Sequence, residues 1–219
     1  MTANTIILIL ELVGTVAFAL SGAFVAMERQ LDYFGIVVLA VTTAVGGGIL
    51  RDLILGNTPP AAFRSPIYVV VAFFTAAVIL VVVHRLGNFV TNGKVMAYLK
   101  YLNLCDAVGL GIFTVVGMNT AIVTGYGENM FLAVFVGVIT GVGGGMVRDI
   151  LAGRTPLILR REIYALAAIA GGIVYYALQL FIPQIAGMLL ATAFITLIRM
   201  ACLYWQVNLP IADFEEKDN

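Results

Sequence analysis

The sequence predicts an all-α polytopic membrane protein: seven transmembrane helices built as an inverted 3+3 repeat plus a seventh helix. Three observations carry this. The 219 residues are 62% hydrophobic and only 11% charged, whereas soluble domains carry about 25% charged residues. The apolar residues fall into seven runs, each close to the ~20 residues that span a hydrocarbon core. The chain also repeats itself: Gly46-Gly47-Gly48-Ile49-Leu50-Arg51-Asp52 returns as Gly143-Gly144-Gly145-Met146-Val147-Arg148-Asp149.

The first run, about residues 4–26, begins almost at Met1 with neither a basic flank nor a small-residue cleavage site. It reads as a retained helix rather than a signal peptide. The second, about 33–55, holds the first glycine triplet. The third covers about 66–84 and the fourth about 100–122. The fifth, about 129–152, holds the second triplet; the sixth covers about 162–181 and the seventh about 184–206. The polar tail from Asp213 to Asn219 reads as a frayed end.

The repeat extends beyond the glycines. Glu11, Gly14, Phe18 and Gly22 align with Asp106, Gly109, Phe113 and Gly117, and Leu55-Gly56-Asn57-Thr58-Pro59 aligns with Ala152-Gly153-Arg154-Thr155-Pro156. Helices 1–3 thus return as helices 4–6. Three is an odd number, so the second unit enters the membrane from the opposite side, the inverted arrangement found in transport folds. The expected division is residues 1–98 for the first unit, 99–182 for the second, and 183–219 for the seventh helix and a short cytoplasmic tail. With the N-terminus outside, the inner segments hold Arg29, Arg85, Lys94, Lys100, Arg154, Arg160, Arg161 and Lys217, and the outer segments hold Arg64 alone. The positive-inside rule then puts the C-terminus in the cytoplasm.

A charge at the bilayer centre costs roughly 2.5–3.5 kcal/mol on the insertion scale. Paying for Arg51-Asp52 and again for Arg148-Asp149 points to a site between the two units. The triplets Gly46, Gly47, Gly48 and Gly143, Gly144, Gly145 have two readings. Small residues let helices pack closely. Alternatively, helices 2 and 5 break there, and freed carbonyls line a polar path and replace water around a cation. The adjacent Arg-Asp pairs favour the second. The arginines either lock the halves together or guard the path; the sequence leaves both open. Glu11 and Asp106 sit inside apolar helices at matched positions, where carboxylates face a bundle interior or a water-filled cavity. Thr42 and Thr140 are further path candidates. Arg154, Arg160 and Arg161 follow the positive-inside pattern and are candidates for contact with anionic lipid.

Enzyme signatures such as H-E-x-x-H and G-x-S-x-G are absent. One histidine and two scattered cysteines, Cys105 and Cys202, make no metal site, and no cofactor is expected. The zero formal net charge gives no pull toward nucleic acid.

The paired G-G-G-x-x-R-D motifs, each followed by a proline, resemble the prokaryotic branch of the trimeric intracellular cation (TRIC) channel family over nearly the whole chain. The resemblance implies a seven-helix protomer in the prokaryotic inner membrane and a homotrimer with one pore in each protomer. It also implies helices 2 and 5 kinked at the glycines and passive conduction of monovalent cations, mainly K⁺ and Na⁺. The eukaryotic branch has a Lys-Glu-Val motif where this chain reads Arg-Asp-Leu and Arg-Asp-Ile. Bacterial members also carry the label of a glycine-transporter domain, so a secondary transporter of a small neutral solute is the rival expectation.

Overall fold

The structure, a computed structural model, describes residues 3–86, 95–160 and 163–207; the side chains of residues 86, 95–100 and 160 are outside the description. The order is α1 (Ala3–Glu28), α2 (Tyr33–Ile54), α3 (Ala61–Arg64), α4 (Ile67–Leu86), α5 (Val95–Ala121), a π-turn (Ile122–Tyr126), α6 (Met130–Leu151), α7 (Leu157–Arg160), α8 (Ile163–Leu178) and α9 (Gln184–Tyr204). Among the described residues six helices are long and apolar enough to cross a membrane. The seventh, α8, is a shorter apolar helix of roughly 24 Å at 1.5 Å per residue. The protein is therefore a multi-pass membrane protein, and the seven expected spans are α1, α2, α4, α5, α6, α8 and α9.

Equivalent chemistry starts and stops the equivalent helices. Asp32 caps α2 by accepting a hydrogen bond from the Gly35 amide at 2.7 Å, and Asn129 caps α6 by accepting from Leu132 at 3.0 Å. A side-chain oxygen there satisfies an amide that has no partner within the helix. Both helices stop at a left-handed glycine, Gly56 (φ 72°) and Gly153 (φ 63°), which lets the chain turn while the last carbonyls are still bonded.

Around the internal two-fold, α1, α2, α5 and α6 form the centre. Phe18 and its equivalent Phe113 pack against each other, with ring centroids 5.1 Å apart and the planes tilted by 35°. Gly109 gives room for the Phe18 ring, and Gly14 for Phe113. α2 and α6 cross in opposite directions. A side chain on Gly47 would collide with the Thr140 carbonyl, and one on Gly144 with the Thr43 carbonyl. The contact is reciprocal, as the repeat requires.

This corrects the expectation of a break. Both α2 and α6 run as unbroken α-helix through their glycine triplets. The central glycines serve a helix crossing, and no carbonyl is freed there. A non-helical backbone occurs instead at the end of α5, where Gly125 takes φ 101° inside the π-turn.

Candidate functional site

Because α2 and α6 are antiparallel, their C-terminal Arg-Asp pairs lie at opposite ends of the crossing. Each pair gathers an acid and a tyrosine from its own unit.

In the first unit, the Arg51 Nε donates to Asp52 Oδ1 at 2.8 Å, and its Nη1 is 4.0 Å from Glu11 Oε1. The Tyr68 hydroxyl donates to Glu11 Oε2 at 2.6 Å. Asp52 Oδ2 accepts from the Ala61 amide at 2.7 Å, which anchors the one-turn α3 after the helix. These groups line a narrow, half-open recess together with Ala44, Val45, Gly48 and Phe113. Two carboxylates against one guanidinium leave one net negative charge. Glu11 keeps 18% of its side chain exposed, so the site is open at its edge.

The second unit builds the same figure and seals it. Arg148 Nε donates to Asp149 Oδ1 at 2.8 Å, and its Nη1 reaches Asp106 Oδ1 at 2.5 Å and the Ser21 hydroxyl of α1. Asp149 Oδ2 accepts from Leu157 at 2.9 Å, the counterpart of the Ala61 contact. Tyr164 stands in the place of Tyr68 and is buried, with the Arg199 guanidinium 4.8 Å over its ring. Arg154 adds a second cation to Asp149 at 2.7 Å and reaches Glu28 at the end of α1 at 3.5 Å. Arg148 and Asp149 are both 0% exposed.

The candidates therefore divide. Glu11, Arg51, Asp52 and Gly48 meet at the recess; Asp106, Arg148, Asp149 and Gly145 meet in the sealed cluster. Gly46, Gly47, Gly143, Gly144 and Thr140 belong to the helix crossing. Thr42 joins neither: its hydroxyl bonds back to the Val38 carbonyl at 2.8 Å, and Thr43 is the true equivalent of Thr140. Adjacent residues on a helix point about 100° apart, yet each arginine does bond its neighbouring aspartate, because the long guanidinium stem folds back. Arg154, a candidate for anionic-lipid contact, pairs with Asp149 and Glu28. The Arg160 side chain and Arg161 lie outside the described residues. The sequence reasoning missed Tyr68 and Tyr164. The signal was present: Ile67-Tyr68 returns as Ile163-Tyr164, in register with the rest of the repeat.

Comparison with known proteins bears on the same duplication. The family model described as glycine transporter matches twice, over residues 8–84 and 103–180. The inner membrane protein YadS of Escherichia coli K12 is 40% identical over 214 residues, covering 94% of this chain and 96% of that protein. A solved TRIC cation channel superposes with a TM-score of 0.80 at 36% identity, covering 98% of this chain and 99% of the other. The TRIC trimeric intracellular cation channel orthologue from Rhodobacter sphaeroides gives 0.82 at 35% identity, covering 93% of this chain and all of that one. Two matched units, the inverted helical frame and these identities together place the chain in the prokaryotic TRIC family, whose sequence model carries the description glycine transporter.

Proposed function

We propose that the protein is a membrane channel that passively conducts monovalent cations, K⁺ and Na⁺, through a path inside each protomer of a homotrimer. The observation that carries this is the recess of Glu11, Arg51, Asp52 and Tyr68, partly open and net negative in a segment otherwise apolar. Such a mouth concentrates cations, and its carboxylates and the Tyr68 hydroxyl offer oxygen in place of lost water. The path runs from the recess beside the α2/α6 crossing, not through unwound glycine backbone, to the Asp106–Arg148–Asp149 cluster at the other end. In that reading the sealed cluster is the closed barrier, and conduction requires Arg148 and Asp106 to part. The likeness to solved TRIC cation channels supports the reading, as does the description trimeric borne by the R. sphaeroides orthologue. The working site is the inner membrane, with the N-terminus outside and the C-terminus in the cytoplasm. Purified protein in a planar bilayer under a K⁺ gradient should give ohmic steps that reverse near the K⁺ potential. A silent bilayer with intact trimers would reject the proposal.

The recess also supports a second reading. It presents a guanidinium and two carboxylates together, the charges that complement a small zwitterion such as glycine. Saturable glycine counterflow in liposomes, without ohmic steps, would select it.

A further inference from the structure

α9 has no counterpart in the first unit, yet it brings a charge to the second. It lies against α5 and α8, where Gly111 gives room for the Thr192 carbonyl and the Thr196 hydroxyl, and Gly171 for Ile195. The Thr196 hydroxyl reaches the Ala107 carbonyl at 3.4 Å, next to Asp106. Three residues on, Arg199 points inward. It is buried, with its guanidinium 4.8 Å from the centre of the Tyr164 ring. An arginine inside a membrane helix is costly, and a cation over an aromatic ring recovers part of that cost.

The two units use this tyrosine differently. Tyr68 donates its hydroxyl to Glu11 Oε2 at 2.6 Å, and Arg51 stands 4.0 Å from the same carboxylate. In the second unit the order is exchanged. Arg148 holds Asp106 Oδ1 at 2.5 Å, while the Tyr164 hydroxyl and Asp106 Oδ2 are buried with no hydrogen bond among the described residues. The two residues face the same spot: a side chain on Gly145 would lie 3.2 Å from the Tyr164 hydroxyl and 3.8 Å from Asp106 Oδ1. Its absence leaves the space between them clear. A buried hydroxyl and a carboxylate oxygen left unpaired are costly, and the Arg199 contact holds the ring in the position that leaves them so.

We propose that Arg199 is the positioning residue of the closed barrier. It holds the Tyr164 ring and so leaves Asp106 to Arg148. Released, Tyr164 donates to Asp106 as Tyr68 does to Glu11, and Arg148 stands off as Arg51 does. The two units thus display two arrangements of one acid, one arginine and one tyrosine, and α9 sets which of them the second unit takes. This rests on the channel reading above, with the sealed cluster as its barrier. An arginine that merely anchored α9 would act without regard to the Tyr164 hydroxyl; the exchange runs through that hydroxyl.

Single-channel recording of the full-length protein in planar bilayers, with KCl equal on both sides, reads the fraction of time open. Arg199→Gln should raise it roughly threefold to tenfold, the worth of one buried cation–ring contact, with the current through each open channel unchanged. Arg199→Lys keeps a cation over the ring and should stay nearer the unmodified protein. Tyr164→Phe keeps the ring but has no hydroxyl to give, so it should open less. Adding Arg199→Gln to Tyr164→Phe should then change nothing further. Additive effects of the two would make Arg199 a plain anchor and overturn the proposal, as would an unchanged open fraction in Arg199→Gln. Should Arg199→Gln fail to assemble, Tyr164→Phe decides alone: an open fraction at or above that of the unmodified protein overturns the exchange and leaves the channel standing. Unmodified protein that passes no current would remove the channel reading and this inference together.

Discussion

Glu11, Arg51, Asp52 and Tyr68 stand in the first repeat unit where Asp106, Arg148, Asp149 and Tyr164 stand in the second, on the same helices and with the same Arg–Asp bond of 2.8 Å. The first group is partly exposed, and Arg148, Asp149 and Asp106 of the second are buried. Three substitutions contribute to the difference. Aspartate at 106 is one methylene shorter than glutamate at 11, and it draws its arginine to 2.5 Å instead of 4.0 Å. Ser21 gives Arg148 a further partner across the repeat axis; its own counterpart, Val116, has no polar group to give Arg51. Arg154 brings a second cation to Asp149, where the first unit has Asn57. Residues that a point mutation can exchange thus help to open or shut the site, together with α9, whose Arg199 lies over Tyr164 in the second unit.

That difference sets the expected size of each perturbation. The largest belongs to Asp106→Asn, which strips a buried guanidinium of a charged partner. Breaking such a pair costs about 3–5 kcal/mol, whereas Glu11→Gln, at a partly exposed site, should cost about 1 kcal/mol or less. Thermal unfolding in detergent measures both, and equal losses would end the distinction between a sealed and an open cluster. Next come Gly47→Ala and Gly144→Ala. Each forces a methyl against a carbonyl of the partner helix and should cost about 1–3 kcal/mol, as overpacking does. The two values should agree, because the crossing is reciprocal. Gly48→Ala, whose nearest neighbour would be the Arg51 guanidinium at 4.0 Å, should be near neutral in the same measurement.

A milder change tests the barrier directly. Arg154→Asn gives the second unit the residue of the first. It should cost about 1.5 kcal/mol for the lost charged hydrogen bonds and raise K⁺ flux into liposomes, while Asn57→Arg should lower it. Flux unchanged in both would detach the cluster from permeation. The smallest effect on stability is expected from Tyr68→Phe, about 1 kcal/mol or less for one hydrogen bond at a half-buried site. Its readout is conductance, through the loss of the Tyr68 bond to Glu11 and of one oxygen from the mouth.

Most of the frame was legible from residue order. The glycine triplets, the aligned acids and the odd number of helices per unit led to the inverted repeat, because each is a pattern in the chain itself. The role of the triplets was not legible. Glycine at a membrane site serves equally to unwind a helix or to let two helices touch, and the choice depends on Thr43 and Thr140 arriving from the other unit. Tyr68 and Tyr164 were within reach, but a tyrosine in an apolar run carries no signal until its helix is set beside Glu11 or Asp106. Arg154 shows the converse. Its position in a loop between spans fits the positive-inside bias, and only folding reveals the buried Asp149 within its reach.

The reciprocal seat of Thr43 on Gly144 and Thr140 on Gly47 has a consequence for descent. It is the contact that two identical three-helix chains would make with each other if inserted in opposite senses. Joining two such chains would need no new interface, only a linker to fix which copy faces which way. Joined copies can differ, and Asp106, Ser21 and Arg154 mark where the two units of this chain do.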